Sequence, residues 1–154
     1  MIARLAAGIG AALLAALPAA TPSGTAGWAV AVLPSGHEFS LEIAADPASR
    51  ERGYMGRERV GAREGMLFVF DDDATHPFWM KNCKVALDMV WLDRSRRVVW
   101  IASDRKPCPE TGECPSVVPE APARYVLEFA AGTVAAERLR EGDDVVILGG
   151  PLAR

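Results

Sequence analysis

Gly65-Met66-Leu67-Phe68-Val69-Phe70, followed eight residues later by Phe78-Trp79-Met80-Lys81-Asn82, decides the fold. The first run is built from apolar and aromatic side chains that suit a pleated, half-buried surface. It ends in three acids, Asp71 to Asp73. The second run is aromatic and stops abruptly at a cation and an amide. A strand that places Lys81 and Asn82 directly after Phe-Trp-Met presents them at a sheet edge or a pocket mouth.

Upstream of this stretch, Phe39, Leu41 and Ile43 alternate with Ser40, Glu42 and Ala44. That period of two predicts a half-buried strand, entered through the turn signal Pro34-Ser35-Gly36. Asp46-Pro47 then opens a helix, with Asp46 as cap and Pro47 at the first helical position. The pattern predicts a helix from Ala48 to about Arg59, weakened by Gly53 and Gly56. Downstream, Pro77 to Met80, Val85 to Leu92 and Arg97 to Ser103 are strand candidates, the last two separated by the turn Asp93-Arg94-Ser95-Arg96. Tyr125 to Phe129 and Val145 to Leu148 are further strands, and Thr133 to Arg140 is a short helix capped by Thr133. Many short strands with two short helices predict a small β-sandwich or barrel.

The N-terminus has the layout of a secretory signal: Arg4, an apolar stretch from Leu5 to Leu17, then Pro18 and small residues. Gly24 and Ala26 place cleavage before Gly27, with Ala20 as another small residue at which it could occur. The apolar stretch is short against the roughly 20 residues of a membrane span, so residues 1–26 are expected to be removed rather than to anchor the chain. A single domain of 128 residues, 27–154, then remains, periplasmic or secreted, with no stable membrane span. The chain carries 17 basic and 20 acidic residues. A mildly acidic, well-mixed charge pattern has no electrostatic footprint for nucleic acid and no polybasic membrane patch.

Export bears on the cysteines. Pro107-Cys108-Pro109-Glu110-Thr111-Gly112-Glu113-Cys114-Pro115 is short and turn-rich, and in an oxidising compartment it reads as a local disulfide between Cys108 and Cys114. The closed loop would stabilise the fold by about 2 kcal/mol. A zinc site would need four ligands in tighter pairs, and no second pair exists. Cys83 is left as a buried small hydrophobe or a free thiol.

In these motifs the chain resembles domain-of-unknown-function family 192. The resemblance runs from about Phe39 to Leu148. It rests on Arg52-Gly53-Tyr54-Met55 with Arg57, Glu64-Gly65-Met66-Leu67-Phe68-Val69-Phe70, and Phe78-Trp79-Met80-Lys81-Asn82. Leu87-Asp88, the cysteine loop, Ala123-Arg124-Tyr125-Val126-Leu127-Glu128 and Gly142-Asp143 continue it in order. It implies a mainly β, jelly-roll-like domain, often exported, and it implies no activity. Cys83 stands where the family usually has Thr, Ala86 where it has Pro and Tyr54 where it has Leu, which argues against a family-wide role for the Cys83 thiol.

Three constellations could carry chemistry. Arg52, Arg57, Lys81, Asn82 and Asp88, with Trp79 and Trp91 as flat platforms, suit a small anionic or sugar-like ligand in a mostly apolar pocket. The structural alternative pairs Arg57 or Lys81 with Asp88 and uses Asn82 to tie a turn. Cys83 with His76 would be a nucleophile and base, with nearby lysines lowering the thiol pKa, but no third orienting residue is indicated and His37 is distant. Met55, Met66, Met80, Met89, His76 and Cys83 would suit Cu(I), although Met also fills irregular cores. The acids at Asp71 to Asp73 and Asp143-Asp144 sit in turn-like sequence and lack a calcium-loop spacing. The sequence therefore predicts a non-enzymatic small-ligand-binding or accessory module of the cell envelope, needing no cofactor. Arg52, Arg57, Trp79, Lys81, Asn82 and Asp88 would form its site, and the partner would be a small ligand or an envelope protein. Copper handling and a structural, partner-binding role are the alternatives.

Overall fold

The computed structural model describes residues 27–150. The segment expected to act as a secretory signal, residues 1–26, lies outside the described residues. Seven strands, β1 (Trp28–Val32), β2 (Glu38–Ala44), β3 (Glu64–Ala74), β4 (Leu87–Leu92), β5 (Val98–Arg105), β6 (Ala123–Ala130) and β7 (Val146–Gly149), form one sheet in the order β5-β4-β6-β3-β2-β1-β7. Two short helices, α1 (Pro47–Arg52) and α2 (Thr133–Glu137), complete a mainly β, sandwich-like fold.

Every neighbouring pair is antiparallel except β2 and β3, which are parallel. Parallel neighbours need a crossover rather than a hairpin, and here it is α1 with the residues up to Arg63. The helix begins as the sequence predicts: Asp46 accepts from Ser49 N–H at 3.0 Å and Pro47 occupies the first turn. It ends at Arg52 rather than Arg59. Gly53 takes a positive φ of 43°, which glycine adopts most readily, and its N–H closes on the Ser49 carbonyl to end the helix. Tyr54 then turns into the core.

Both faces of the central strands are buried, by different partners. One face carries Leu41 of β2, Ala31 of β1, Ile147 of β7, Val90 of β4 and Leu127 of β6 in one cluster. These strands run from β4 and β6 toward one end of the sheet to β1 and β7 at the other, and the sheet curls to bring the two ends toward each other. Hydrogen bonds from Val98 N–H to the Asp143 carbonyl and from Val145 N–H to the Arg96 carbonyl join its two ends at one point. No ladder forms between β5 and β7, so the barrel does not close. The outer face carries Met66, Phe68, Met89, Trp91 and Val126, covered by Tyr54 of the crossover and by Met80 and Val117 of the long loops.

Several boundaries differ from the sequence reading. β3 does not stop at the acids but runs through Asp71 to Asp73 to Ala74, because their side chains stay exposed and a register shift after Val69 releases the tight pairing. Pro77 to Met80 is not a strand: Phe78 makes a single bridge with Val117. Thr133 does not cap α2. The cap position is Gly132, at φ 91°, and Asp88 of β4 accepts the Val134 N–H at 2.8 Å instead. Cys108 and Cys114 form a disulfide. Among the described residues no helix is long and apolar enough to cross a membrane.

Candidate functional site

The crossover and the Pro77–Cys83 loop do not seal the outer face completely. Between them lies a cavity of about 250 Å³, walled by the end of α1, Tyr54, Phe68 and Phe70 of β3, Phe78 and Trp79 of the loop, and Glu128 of β6. Gly56 N–H donates to the Asn82 carbonyl at 2.8 Å and pins the two walls together.

Glu128 is the unusual group. In register it lies beside Met66 of β3 and Met89 of β4, so strand alternation turns it toward the apolar outer-face cluster. It is only 4% exposed, and its Oε2 has no hydrogen-bond partner. Burial pushes its pKa from 4.5 to about 8, because a charge without a partner is costly in an apolar surround. At neutral pH it is chiefly a carboxylic acid, able both to donate and to accept. Burial, and then the Glu128 charge, also push up the Tyr54 phenol, and they raise the Cys83 thiol to about 11. Burial therefore acts against the thiol chemistry that the neighbouring lysines could have favoured. Desolvation outweighs the neighbouring cations, and Lys84 is paired with Glu58. His76 stacks on Phe70 and places Nε2 3.3 Å from the Asp72 carbonyl.

At the cavity mouth, Arg50 is already committed. Its guanidinium donates to the carbonyls of Ala45 and Val69 and sits 5.2 Å above the Phe70 ring. Arg52 is exposed and makes no ion pair or side-chain hydrogen bond among the described residues.

The structure does not bring the six sequence-selected residues into one cleft. Arg52 and Trp79 line the Glu128 cavity. Trp79 also borders a second, more polar hollow with Lys81, Asn82 and the disulfide loop. Lys81 Nζ lies 5.3 Å over the Trp79 ring. Asn82 holds a left-handed turn at φ 56°. Arg57 pairs with Glu42 at 2.5 Å and caps the Tyr54 ring, away from Asp88. Asp88 faces the opposite side of the sheet, since it registers with Phe129 while Met89 registers with Glu128. Its carboxylate is fully buried and accepts the N–H groups of Asp104 and Val134.

Sequence reasoning passed over Glu128 as a site residue. The available signal was an acid two residues after Val126 in a strand pattern, which period-two alternation sets on an apolar face. Met66, Met80 and Met89 are buried in the outer-face core. Among the described residues no group of three or more His, Cys, Asp or Glu side chains is placed to hold a metal ion.

The same motifs that build the cavity fall within residues 30–147, which match the model of an uncharacterised ancient conserved region. The chain belongs to domain-of-unknown-function family 192. Two solved structures share this family 192 fold. A protein of unknown function from Novosphingobium aromaticivorans DSM 12444 is 33% identical with a TM-score of 0.70, covering 91% of this chain and 99% of that one. A protein from Sinorhizobium meliloti 1021, suggested to be a transcription regulator, is 31% identical with a TM-score of 0.69, covering 78% of this chain and 92% of that one. No curated protein matches the chain.

Proposed function

We propose that this chain is an exported, non-enzymatic module of the cell envelope that binds a small ligand in the Glu128 cavity. One observation carries the reading: a carboxyl group buried in an aromatic-walled cavity with an oxygen that no protein group satisfies. Leaving such an atom unpaired costs about 1–3 kcal/mol, and a ligand group that pairs with the Glu128 carboxyl would offset part of that cost. The wall is mostly apolar with few polar groups, the usual composition of a small-molecule site. Support for export comes from the signal-like layout of residues 1–26 and from the Cys108–Cys114 disulfide, a bond that persists in oxidising compartments.

The charge balance of this chain gives no support to the regulator role suggested for the Sinorhizobium protein. With 20 acidic against 17 basic residues, this chain has no excess of positive charge of the kind that DNA binding uses.

Thermal melts of the purified protein against sugars, peptidoglycan fragments, organic acids, amino compounds and nucleotides test the reading. A compound at 100 times its Kd adds about 2.7 kcal/mol, a shift of several degrees. The shift should vanish in Glu128→Gln. A compound that binds equally well to that variant would move the site elsewhere.

A further inference from the structure

The cavity has two chemically distinct ends, and together they define a ligand class. At the floor is Glu128, with Oε2 unsatisfied and acidic. Around it stand the rings of Tyr54, Phe68, Phe70, Phe78 and Trp79. Aromatic rings around a buried carboxyl are surroundings that hold an organic cation; Arg50, Arg57 and Lys81 already lie over the Phe70, Tyr54 and Trp79 rings, and the exposed Glu51 also lines the cavity. At the mouth stands Arg52, an exposed guanidinium with no protein partner among the described residues. A guanidinium there repels a simple cation and favours an anionic group through paired hydrogen bonds. A volume of about 250 Å³ is below the roughly 300 Å³ at which pockets for larger organic ligands begin.

Resting on the ligand-binding reading above, we propose that the cavity takes a small zwitterion of the amino-acid class. Its ammonium group seats on Glu128, its apolar body lies between the rings, and its carboxylate pairs with Arg52. The pair at the floor forms only when Glu128 is ionised, so binding at neutral pH releases its proton to solvent. The other titratable or charged groups bordering the cavity are Tyr54, Cys83, Arg50, Glu51 and Arg52, with His76 behind Phe70. The β3 and β4 neighbours of Glu128, Met66 and Met89, do not titrate. Tyr54 and Cys83 are held protonated at pH 7, and Glu128 is the group whose ionisation burial has moved close to neutrality.

Calorimetry on the purified, oxidised protein tests this with leucine, 4-aminobutyrate and 6-aminohexanoate as zwitterions of graded length. Hexylamine carries the ammonium alone and hexanoate the carboxylate alone. At least one zwitterion should bind at least about tenfold more tightly than hexylamine, and hexanoate should not bind. Titrations in buffers of different ionisation enthalpy should show close to one proton released per molecule bound at pH 7. Affinity should rise as pH climbs from 6 to 7.5, by at most about tenfold per unit. Because Glu128→Gln changes the floor of the cavity itself, Arg52→Ala is the second variant. It should weaken the zwitterion about tenfold and leave hexylamine binding unchanged or tighter. Hexanoate binding as well as the zwitterions, or binding without proton release, would overturn the assignment. A sugar or nucleotide that binds in a Glu128-dependent way while every ammonium compound fails would overturn the ligand class and leave the cavity reading standing. Failure of every compound would overturn both.

Discussion

Replacing Glu128 should make the protein more stable, and by an amount that depends on pH. The carboxyl moves from an ordinary value of 4.5 to about 8 on folding. At about 1.36 kcal/mol per pH unit, the ionised form is disfavoured in the folded state by about 5 kcal/mol, an upper bound if the cavity admits water. The folded state binds the proton more tightly, so between pH 4.5 and 8 it holds more protons than the unfolded chain. Stability therefore falls as pH rises through that window. The penalty is absent below pH 4.5, reaches about 3 kcal/mol near pH 7 and levels off above pH 8. Glu128→Gln removes the titration and keeps the shape. Urea unfolding of both proteins at pH 5, 6, 7, 8 and 9 gives the difference directly. The gap should widen with pH in favour of the variant, with a slope approaching about 1.4 kcal/mol per unit, and m-values should stay equal. Parallel stability profiles would mean that Glu128 ionises freely or stays paired, and the argument for an unsatisfied carboxyl would fail.

Other expectations follow from single contacts. A Cβ at Gly65 would stand 2.8 Å from the Phe129 ring and 2.9 Å from the Glu128 carbonyl, so Gly65→Ala should lose about 1–3 kcal/mol in urea unfolding. Asp88→Ala strands the Asp104 and Val134 N–H groups and should cost about 2–4 kcal/mol, while ligand-induced melting shifts should persist in any protein that remains folded. Arg57→Ala breaks a partly exposed pair with Glu42 and should change stability by no more than about 1 kcal/mol. The Cys83 thiol, raised to about 11, should react with iodoacetamide at pH 8 at least about tenfold more slowly than a free thiol, measured by mass spectrometry of the alkylated protein.

How much of this was legible depended on range. The strands around Leu41, Leu67, Val90 and Leu127 follow from local composition and alternation, and the disulfide from six residues of turn-rich spacing. The parallel β2–β3 pair was not legible, because nothing within either strand states which neighbour it takes. Glycine's low helix propensity marks Gly53 as a weak point in α1 but does not show that it stops the helix through a positive φ. Membership in neighbouring motifs does not bring Asp88 into one cleft with Lys81 and Asn82. A one-residue step along β4 sets it on the opposite face from Met89, and its partners are 16 and 46 residues away. Glu128 carried its signal in the strand pattern, but its burial depends on Tyr54 and Phe68, which the crossover and the sheet bring over it.

The topology also explains why the unsatisfied carboxyl sits where it does. A parallel β2–β3 pair obliges the chain to pass over one face of the sheet, and α1 is too short to cover that face. The remainder is covered by Tyr54 and by the aromatic loop, and the seam between them is the cavity. Glu128 lies under that seam. There an acid is expensive, yet within reach of a ligand entering past Arg52 and Trp79. Packing alone would favour Leu or Met at this position, like its neighbours Met66 and Met89. A substitution that raises stability while abolishing binding is the signature of a group whose cost is offset by function. If Glu128→Gln instead unfolded the protein, the carboxyl would be a structural acid with an unrecognised partner, and the cavity would lose its claim to be the site.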